Sequence, residues 1–275
     1  MSGINVERQD ARLKLLAEKI YTHCGMNYTD NLGMLGSKIE GRLSELNMSC
    51  LDYCSYLSEN AAEWEKLIIA VTINETYFFR EEQQLDEMVR LVKTELAGKG
   101  MVNIWSSACS TGEEPYSLVM ALDAAGVPLD RIQVYASDIN AKVLQIAENG
   151  RYHRNSLCFR RTPDAMKRIY FAQEGDWFVM NARIRDRVRF MRLNLLDGTA
   201  IAKLPAMDIL FCRNVLIYFD DATIKRVMWS FHNRLQEGGL LFLGHAETMR
   251  GGNEIGFEAV SCPSTFYYRK VKGGL

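Results

Sequence analysis

The sequence has no apolar run approaching the roughly 20 residues that a membrane-spanning helix needs, and its N-terminus, MSGINVERQD, lacks the apolar centre of a signal peptide. Its seven cysteines are odd in number and form no CxxC pair, and its four histidines are scattered along the chain. These absences argue against a disulfide framework and against a zinc site. We therefore expect a cytoplasmic protein with reduced thiols and no bound metal.

An excess of charge of either sign is also missing, because 33 Lys and Arg stand against 34 Asp and Glu, for a net charge of −1. No global field attracts nucleic acid or an anionic membrane, although this balance leaves room for a local basic patch. Nucleic-acid binding and membrane insertion are therefore not expected. The composition, 48% hydrophobic over 275 residues, is that of a globular protein with one large domain, alone or with a small one.

The first part of the chain, up to about Ile73, shows apolar residues at helical spacing, which predicts a domain of short helices over residues 1–73. Asp30 and Ser49 are expected to cap the second and third helices. Cys50 and Cys54 lie one helical turn apart and could bind a metal, but core packing is the favoured interpretation.

A junction follows, TINETYFFREEQQL, in which a β-prone run from Thr76 to Phe79 leads into a charged helix predicted over residues 81–96. The polar side chains of Asn74, Thr76 and Arg80 either face a cleft or cap that helix. The junction considered alone favours capping.

The central stretch, VNIWSSACSTGEEPYS from Val102 to Ser117, predicts a strand, a loop of small residues and the start of a helix. Small residues let the backbone approach a ligand, and the free N–H groups of a helix N-terminus suit a carboxylate. The loop has neither the GK[ST] ending of a phosphate loop nor a GxGxxG pattern. A triphosphate is therefore excluded and a nicotinamide is disfavoured.

Strands and helices alternate through the rest of the chain, which predicts an α/β fold with a mostly parallel sheet. The predicted strands cover residues 102–106, 132–137, 188–193, 207–212 and 240–243, with a closing hairpin at 257–260 and 265–269. The predicted helices cover residues 114–125, 141–148 and 222–235, the last ended by Gly238 and Gly239.

An insertion at about residues 151–186 breaks this alternation. It predicts a helix, 163–170, and a small antiparallel unit from short β-like runs, 169–172, 177–180 and 182–184.

Polar residues follow several of the predicted strands. Asp138, after the second strand, either accepts hydrogen bonds from ribose hydroxyls or caps the next helix. Asn194, Arg213 and Asn214 extend a rim suited to an adenosine, and Glu113 or Glu114 could meet an ammonium group. Spacing alone makes S-adenosylmethionine one candidate among several nucleotides.

Several long motifs follow one another along essentially the whole chain: NETYFFRE (74–81), SSACSTGEEPYS (106–117), VYASDI (134–139), LNLLD (193–197), FCRNVLIYFD (211–220) and LFLGHAE (241–247). In this order they closely resemble the CheR family of chemotaxis protein methyltransferases. The resemblance implies a Rossmann-like class I methyltransferase domain over residues 74–275, with a β subdomain inserted at about 151–186. It also implies transfer of a methyl group from S-adenosylmethionine to glutamates on the cytoplasmic helices of membrane chemoreceptors, leaving glutamyl methyl esters and S-adenosylhomocysteine.

The resemblance also implies the residues of the site. The family's cofactor contacts fall on Asn74, Thr76, Arg80, Glu114, Asp138, Asn194, Leu195, Arg213 and Asn214. When the family resemblance is taken into account, the interpretation that the polar side chains of the junction face a cleft is favoured over helix capping. Our catalytic hypothesis is that Arg80 orients the acceptor carboxylate and that Tyr218 positions it or the methyl group.

Two departures from the family pattern limit the expected partners. Residues 170–186 look too short for the loop that binds a receptor's C-terminal pentapeptide, so docking without that tether is expected. On the second helix, Lys38 and Arg42 are offset by Glu40 and Glu45, which makes electrostatic docking there weak.

Two alternatives to receptor methylation stay open. One is a methyltransferase of the same fold with another acceptor, where RNA is disfavoured because no basic, aromatic-interleaved surface is evident. The other is a receptor-docking module that binds S-adenosylmethionine without turnover, against which the intact Arg80 and Tyr218 argue.

Overall fold

The computed structural model describes residues 2–249 and 252–271. The chain forms two compact units, one made of the residues up to Ile73 with Ile217–Ile224, the other of Asn74–Leu216 with the residues from Lys225 onward. No helix in these described ranges combines the length and the apolarity needed to cross a bilayer. All seven cysteines are free thiols.

The first unit is helical. Its helices are α1 (Ser2–Cys24), α2 (Leu32–Leu46), α3 (Cys50–Glu59) and α4 (Ala61–Val71). Ser49 caps α3 as predicted, but the cap predicted at Asp30 is wrong. Asn31 caps α2 instead, because its side chain accepts the Met34 N–H at the point where the chain enters the helix.

An arginine of the first unit is fully engaged by carboxylates. Arg42 on α2 donates two hydrogen bonds of 2.7 Å to Glu63, which is 1% exposed, and a third to Glu45. These hydrogen bonds hold the pKa of Glu63 below its usual value. Arg42 therefore serves the packing of its own unit.

The second unit is built on a seven-stranded sheet, as the α/β class predicts. Its strands are β1 (Val102–Ser107), β2 (Ile132–Asp138), β6 (Val188–Arg192), β7 (Met207–Cys212), β8 (Leu235–Leu243), β9 (Phe257–Ser261) and β10 (Phe266–Lys270), in the order β6-β2-β1-β7-β8-β10-β9. The first five run parallel to one another, and β10 is antiparallel to both of its neighbours, β8 and β9. This confirms the Rossmann-like methyltransferase fold class.

Eight further helices complete the described part of the fold. They are α5 (Glu82–Thr94), α6 (Glu113–Ala124), α7 (Ala141–Asn149), α8 (Asp164–Tyr170), α9 (Ala182–Arg185), α10 (Gly198–Ala202), α11 (Asp221–Arg234) and α12 (Gly252–Ile255). Short 3₁₀ turns lie at Leu129–Arg131, Leu157–Phe159 and Leu216–Tyr218. All six residues of β7 are buried, as expected for a central strand of a parallel sheet.

The predicted antiparallel insertion is confirmed as a three-stranded sheet of β3 (Arg151–His153), β5 (Trp177–Met180) and β4 (Phe171–Glu174). The β4–β5 turn uses Gly175 at φ 58°, a left-handed conformation that glycine adopts without strain. Tyr152, Phe171 and Phe178 pack with Phe78 and Phe159 in one aromatic cluster. That cluster attaches the insertion to the junction before α5.

Two local predictions are wrong. Residues 182–184 form the start of α9 rather than a strand, because the N–H groups of Ile184 and Arg185 both bond the Asn181 carbonyl. Helix α11 ends at Arg234, and Gly238 and Gly239 lie within β8.

The pairing register of β7 with β8 shifts between Met207 and Ile209. A Cβ on Gly239 would lie 2.8 Å from the Gln236 carbonyl oxygen, so the irregularity requires glycine there.

Candidate active site

The carboxyl ends of the parallel strands bring the predicted site residues to one edge of the sheet. Ser107 at the end of β1 lies opposite Ser137 of β2 and Cys212 of β7. Asp138 at the end of β2 lies opposite Arg192 of β6. The loops after β1, β2, β6 and β7 therefore begin side by side, where α/β sheets bind their ligands.

The loop after β1 folds tightly against the end of β2. Ala108 and Ser110 have φ angles of 56° and 50°, and Gly112, which precedes α6, has φ 93°. The Ser110 N–H donates to Asp138 Oδ2 at 2.9 Å. A Cβ on Gly112 would lie 2.8 Å from the Ala147 side chain, so only glycine fits against α7 at this position.

Asp138 is 7% exposed and accepts the N–H groups of Ser110 and Asn140, each at 2.9 Å. Burial raises the pKa of its carboxyl above the usual value. The alternative that Asp138 caps α7 is wrong, because Asn140 is the cap and accepts the N–H groups of Lys142 and Val143. Contact with ribose stays a prediction.

Glu114 and the buried Arg213 form an ion pair in the site. Arg213 Nε donates to Glu114 Oε2 at 2.7 Å, and the other carboxylate oxygen accepts the Ser106 hydroxyl at 2.6 Å. A further Arg213 nitrogen, Nη1, donates to the Arg80 carbonyl at 2.7 Å. Two of the predicted cofactor residues are thus joined directly, and the ion pair is linked to the backbone of a third.

The neighbouring glutamate, Glu113, is engaged elsewhere. Its side chain accepts the Thr111 hydroxyl at 2.7 Å and is only 3% exposed. Burial raises the pKa of Glu113 to about 7.

Sequence reasoning did not single out Glu81, which precedes α5 at φ 56°. Its Oε2 atom is buried, has no hydrogen-bond partner among residues 2–249 and 252–271, and lies 3.6 Å from Arg213 Nη1. A buried acceptor of this kind is completed by a ligand that carries an N–H or O–H donor. The ammonium and hydroxyl groups of S-adenosylmethionine are such donors, so the residues present fit this cofactor.

The junction before α5 adjoins the loop after β1. The Asn74 carbonyl accepts the Ser110 hydroxyl at 3.0 Å, and Thr76 follows as a half-buried residue. Arg80 donates to the Glu75 carbonyl at 3.3 Å. The capping alternative for these polar residues is wrong, because Glu81 is the N-cap of α5.

Asn194 and Leu195 follow β6. The Leu193 N–H bonds the Asp138 carbonyl at 3.0 Å, which keeps this loop beside the end of β2. Asn194 Oδ1 accepts the Leu196 N–H at 3.0 Å, and Leu195 is 8% exposed. Their contact with the cofactor stays a prediction.

The loop after β7 is organised by Glu247, a second residue that sequence reasoning did not single out although it ends the motif LFLGHAE. Its carboxylate, 3% exposed, accepts the N–H groups of Asn214, Val215, Leu216 and Gly244 at 2.7, 2.9, 2.8 and 2.8 Å. Asn214 is held at φ 60°, a conformation that few residues other than glycine adopt.

Tyr218, predicted to line the transfer site, belongs to the first unit. Its carbonyl accepts the Asn27 N–H at 2.9 Å. Its catalytic role stays a prediction. Among residues 2–249 and 252–271, no three His, Cys, Asp or Glu side chains are grouped so as to hold a metal ion.

The strand order, the small-residue loop and the polar groups at the carboxyl edge define a class I methyltransferase that binds S-adenosylmethionine. The family described as "CheR methyltransferase, SAM binding domain" matches residues 74–266, and this chain belongs to that family.

The curated relatives are similar over most of their length. The chain is 39% identical over 229 residues to chemotaxis protein methyltransferase 2 of Vibrio cholerae, covering 80% of this chain and 79% of the relative. It is 34% identical over 249 residues to the chemotaxis protein methyltransferase of Escherichia coli, covering 86% and 84%. Among solved structures, magnesium protoporphyrin IX methyltransferase from Synechocystis with bound SAM is 16% identical, with a TM-score of 0.38 over 69% of this chain and 76% of that one.

Proposed function

We propose that this protein methylates glutamate carboxylates on the cytoplasmic helical domains of membrane chemoreceptors. The products are glutamyl methyl esters and S-adenosylhomocysteine. Residues 1–73 are its helical domain and residues 74–275 its methyltransferase domain, and it acts in the cytoplasm without a pentapeptide tether. The match of the CheR methyltransferase domain to residues 74–266 carries the proposal.

When bound, S-adenosylmethionine supplies a methyl group on a positively charged sulfur, so a carboxylate oxygen forms the new O–C bond while the S–C bond breaks and its electron pair stays on sulfur. A glutamate side chain is already ionised at neutral pH. The chain therefore needs no general base, and its contribution is to align the carboxylate and to exclude water.

The cofactor is held, in this proposal, by Asn74, Thr76, Arg80, Glu114, Asp138, Asn194, Leu195, Arg213 and Asn214. Arg213 is buried and paired with the largely buried Glu114, which fixes both before any ligand arrives. The acceptor carboxylate meets Arg80, whose guanidinium has no carboxylate partner within the described ranges. A guanidinium fork matches a carboxylate with two parallel hydrogen bonds. Tyr218 completes the transfer site.

The test is transfer of a tritiated methyl group to a panel of receptor cytoplasmic fragments, each with and without its C-terminal tail. We expect base-labile label, released as methanol, on both forms of a fragment. The label should disappear when the acceptor glutamates are changed to alanine. Cofactor binding by calorimetry without label on any fragment would instead identify a non-catalytic module. Base-stable label, or label on a small molecule or RNA, would identify another acceptor.

A further inference from the structure

Arg160, in the insertion, lies against the junction that carries Arg80. Its guanidinium carbon is 3.7 Å from the ring centroid of Tyr77, and its Nη2 atom donates to the Glu75 carboxylate at 2.9 Å. The contact with Glu75 joins residues 85 positions apart in the chain. An arginine stacked on an aromatic ring at this distance has a fixed orientation.

Arg80 shares the same ring. Its guanidinium carbon lies 5.5 Å from the Tyr77 centroid, and its side chain donates to the Glu75 carbonyl. Two guanidinium groups therefore lie near one tyrosine ring, and the Glu75 carboxylate pairs with one of them, Arg160. The cluster has one positive charge in excess, which favours the approach of a further carboxylate.

The Arg160–Glu75 pair can exchange its carboxylate. Arg160 is 33% exposed and Glu75 is 73% exposed, so water screens the pair and its contribution to stability is small. A substrate carboxylate that reaches Arg160 would replace an interaction that costs little to lose. The stacking on Tyr77 would keep the guanidinium in place during that exchange.

The surrounding segment is strongly basic, unlike the chain as a whole. Residues 151–192 hold eleven Arg and Lys against four Asp and Glu, whereas the net charge of the whole chain is −1. Arg161 and Arg168 in this segment are exposed. The segment therefore carries a local excess of positive charge that the overall charge balance conceals, and this excess suits an acidic partner.

We propose that Arg160, held on Tyr77 beside Arg80, is a specificity-determining residue that binds a carboxylate of the acidic helical segment presenting the acceptor glutamate. The proposal rests on the proposed function, because it names the receptor-side contact of the same methyl-transfer site. Arg80 then receives the acceptor carboxylate, while Arg160 receives a neighbouring acidic side chain.

The test compares Arg160→Gln with Arg161→Gln, which removes the same charge one residue further on from an exposed arginine without a described side-chain partner. We expect Arg160→Gln to raise the KM for a tailless receptor fragment about tenfold, with the dissociation constant of S-adenosylmethionine unchanged. Arg161→Gln should change that KM by less than about twofold. Tyr77→Leu should reproduce the Arg160 effect, and Tyr77→Phe, which keeps the ring, should not.

Several results would overturn the proposal. Equal increases in KM for the two arginine variants would show that only the overall positive charge of the segment matters. An effect of Arg160→Gln confined to fragments with their C-terminal tails would show that Arg160 binds the tail instead of the acidic helical segment. Loss of binding to phosphatidylglycerol vesicles in Arg160→Gln, with an unchanged receptor KM, would identify a lipid surface as the partner. If the unmodified protein labels glutamates but Arg160→Gln has the same KM, this inference fails and the proposed function stands. Absence of label with the unmodified protein would overturn the proposed function itself.

Discussion

Glu113 shows how burial changes the titration of a single side chain. It is 3% exposed and makes one side-chain hydrogen bond, with Thr111, and burial raises its pKa to about 7. In the unfolded chain its pKa is about 4.3. Between these two values the folded protein keeps a proton that the unfolded chain has lost, so this residue makes the fold less stable as the pH rises from about 4.3 to 7.

Glu113→Gln should remove that pH dependence, because the amide stays neutral at every pH. The free energy of unfolding of the variant minus that of the unmodified protein should rise by about 2–3 kcal/mol when the pH goes from about 5 to about 8. Urea denaturation at both pH values measures the difference. Glu258→Gln, at an exposed glutamate of β9, is the control and should show no such trend. A constant difference at the two pH values would contradict the assignment.

The catalytic hypothesis also concerns individual side chains, those of Arg80 and Tyr218. Arg80→Ala and Tyr218→Phe should each lower kcat for methyl transfer by about tenfold or more while the dissociation constant of S-adenosylmethionine changes by less than about threefold. Single-turnover transfer and calorimetry give the two quantities. Weaker cofactor binding in Arg80→Ala would show that Arg80 chiefly holds the cofactor. Unchanged turnover in both variants would rule the hypothesis out.

Whole elements depend on individual buried carboxylates, as the loop after β7 shows. Glu247 accepts hydrogen bonds from four backbone N–H groups, three in that loop and one at Gly244, which follows β8. An unsatisfied buried N–H is costly, so these bonds keep Asn214 in its left-handed conformation. The position of Arg213 and Asn214, both predicted cofactor contacts, thus depends on a residue in another loop.

Glu247→Gln should weaken cofactor binding, because an amide offers one acceptor oxygen and its NH₂ group would face backbone N–H donors. We expect the dissociation constant of S-adenosylmethionine to rise about tenfold. Asp208→Asn is the matched control, since Asp208 is also 3% exposed and accepts a backbone N–H, from Asn103, but lies at the opposite end of β7. Equal loss of affinity in both variants would show an effect of stability alone.

At the scale of the whole molecule, the near-zero net charge hides an uneven distribution. The basic segment 151–192 contrasts with Arg42 of the helical unit, which Glu63 and Glu45 neutralise. Arg42 is thus engaged within its own unit, and weak electrostatic docking by α2 stays a prediction. If an acidic receptor segment meets the insertion, its attraction is carried by exposed side chains and is screened by salt.

Raising the NaCl concentration from about 50 to about 300 mM should therefore raise the KM for a receptor fragment several-fold. The KM for S-adenosylmethionine should change much less, because Asp138 and Arg213, two of the charges predicted to contact it, are buried. Initial rates with either substrate varied at each salt concentration separate the two effects. A receptor KM independent of salt would argue against electrostatic docking by the insertion.

Local patterns determined much of the architecture. The strand MDILFC, the small-residue loop before α6 and the closing hairpin could each be predicted, because apolar periodicity and glycine placement act over a few residues. Where two local signals competed, the prediction was wrong, as at residues 182–184. Asn31 instead of Asp30, and Asn140 instead of Asp138, cap their helices because the chain entered each helix at a slightly different residue.

The sequence by itself determined the fold class, the methyltransferase motifs and the set of expected cofactor residues. Only the tertiary structure decided how those residues are held. Glu247 meets Asn214 across 33 positions of the chain, and Arg160 meets Glu75 across 85. The periodicity of apolar residues along the sequence does not reveal such contacts, since they arise when separate strands and loops converge at one edge of the sheet. For the same reason the position of the Glu81 oxygen beside Arg213, where a ligand donor fits, is a property of the folded chain.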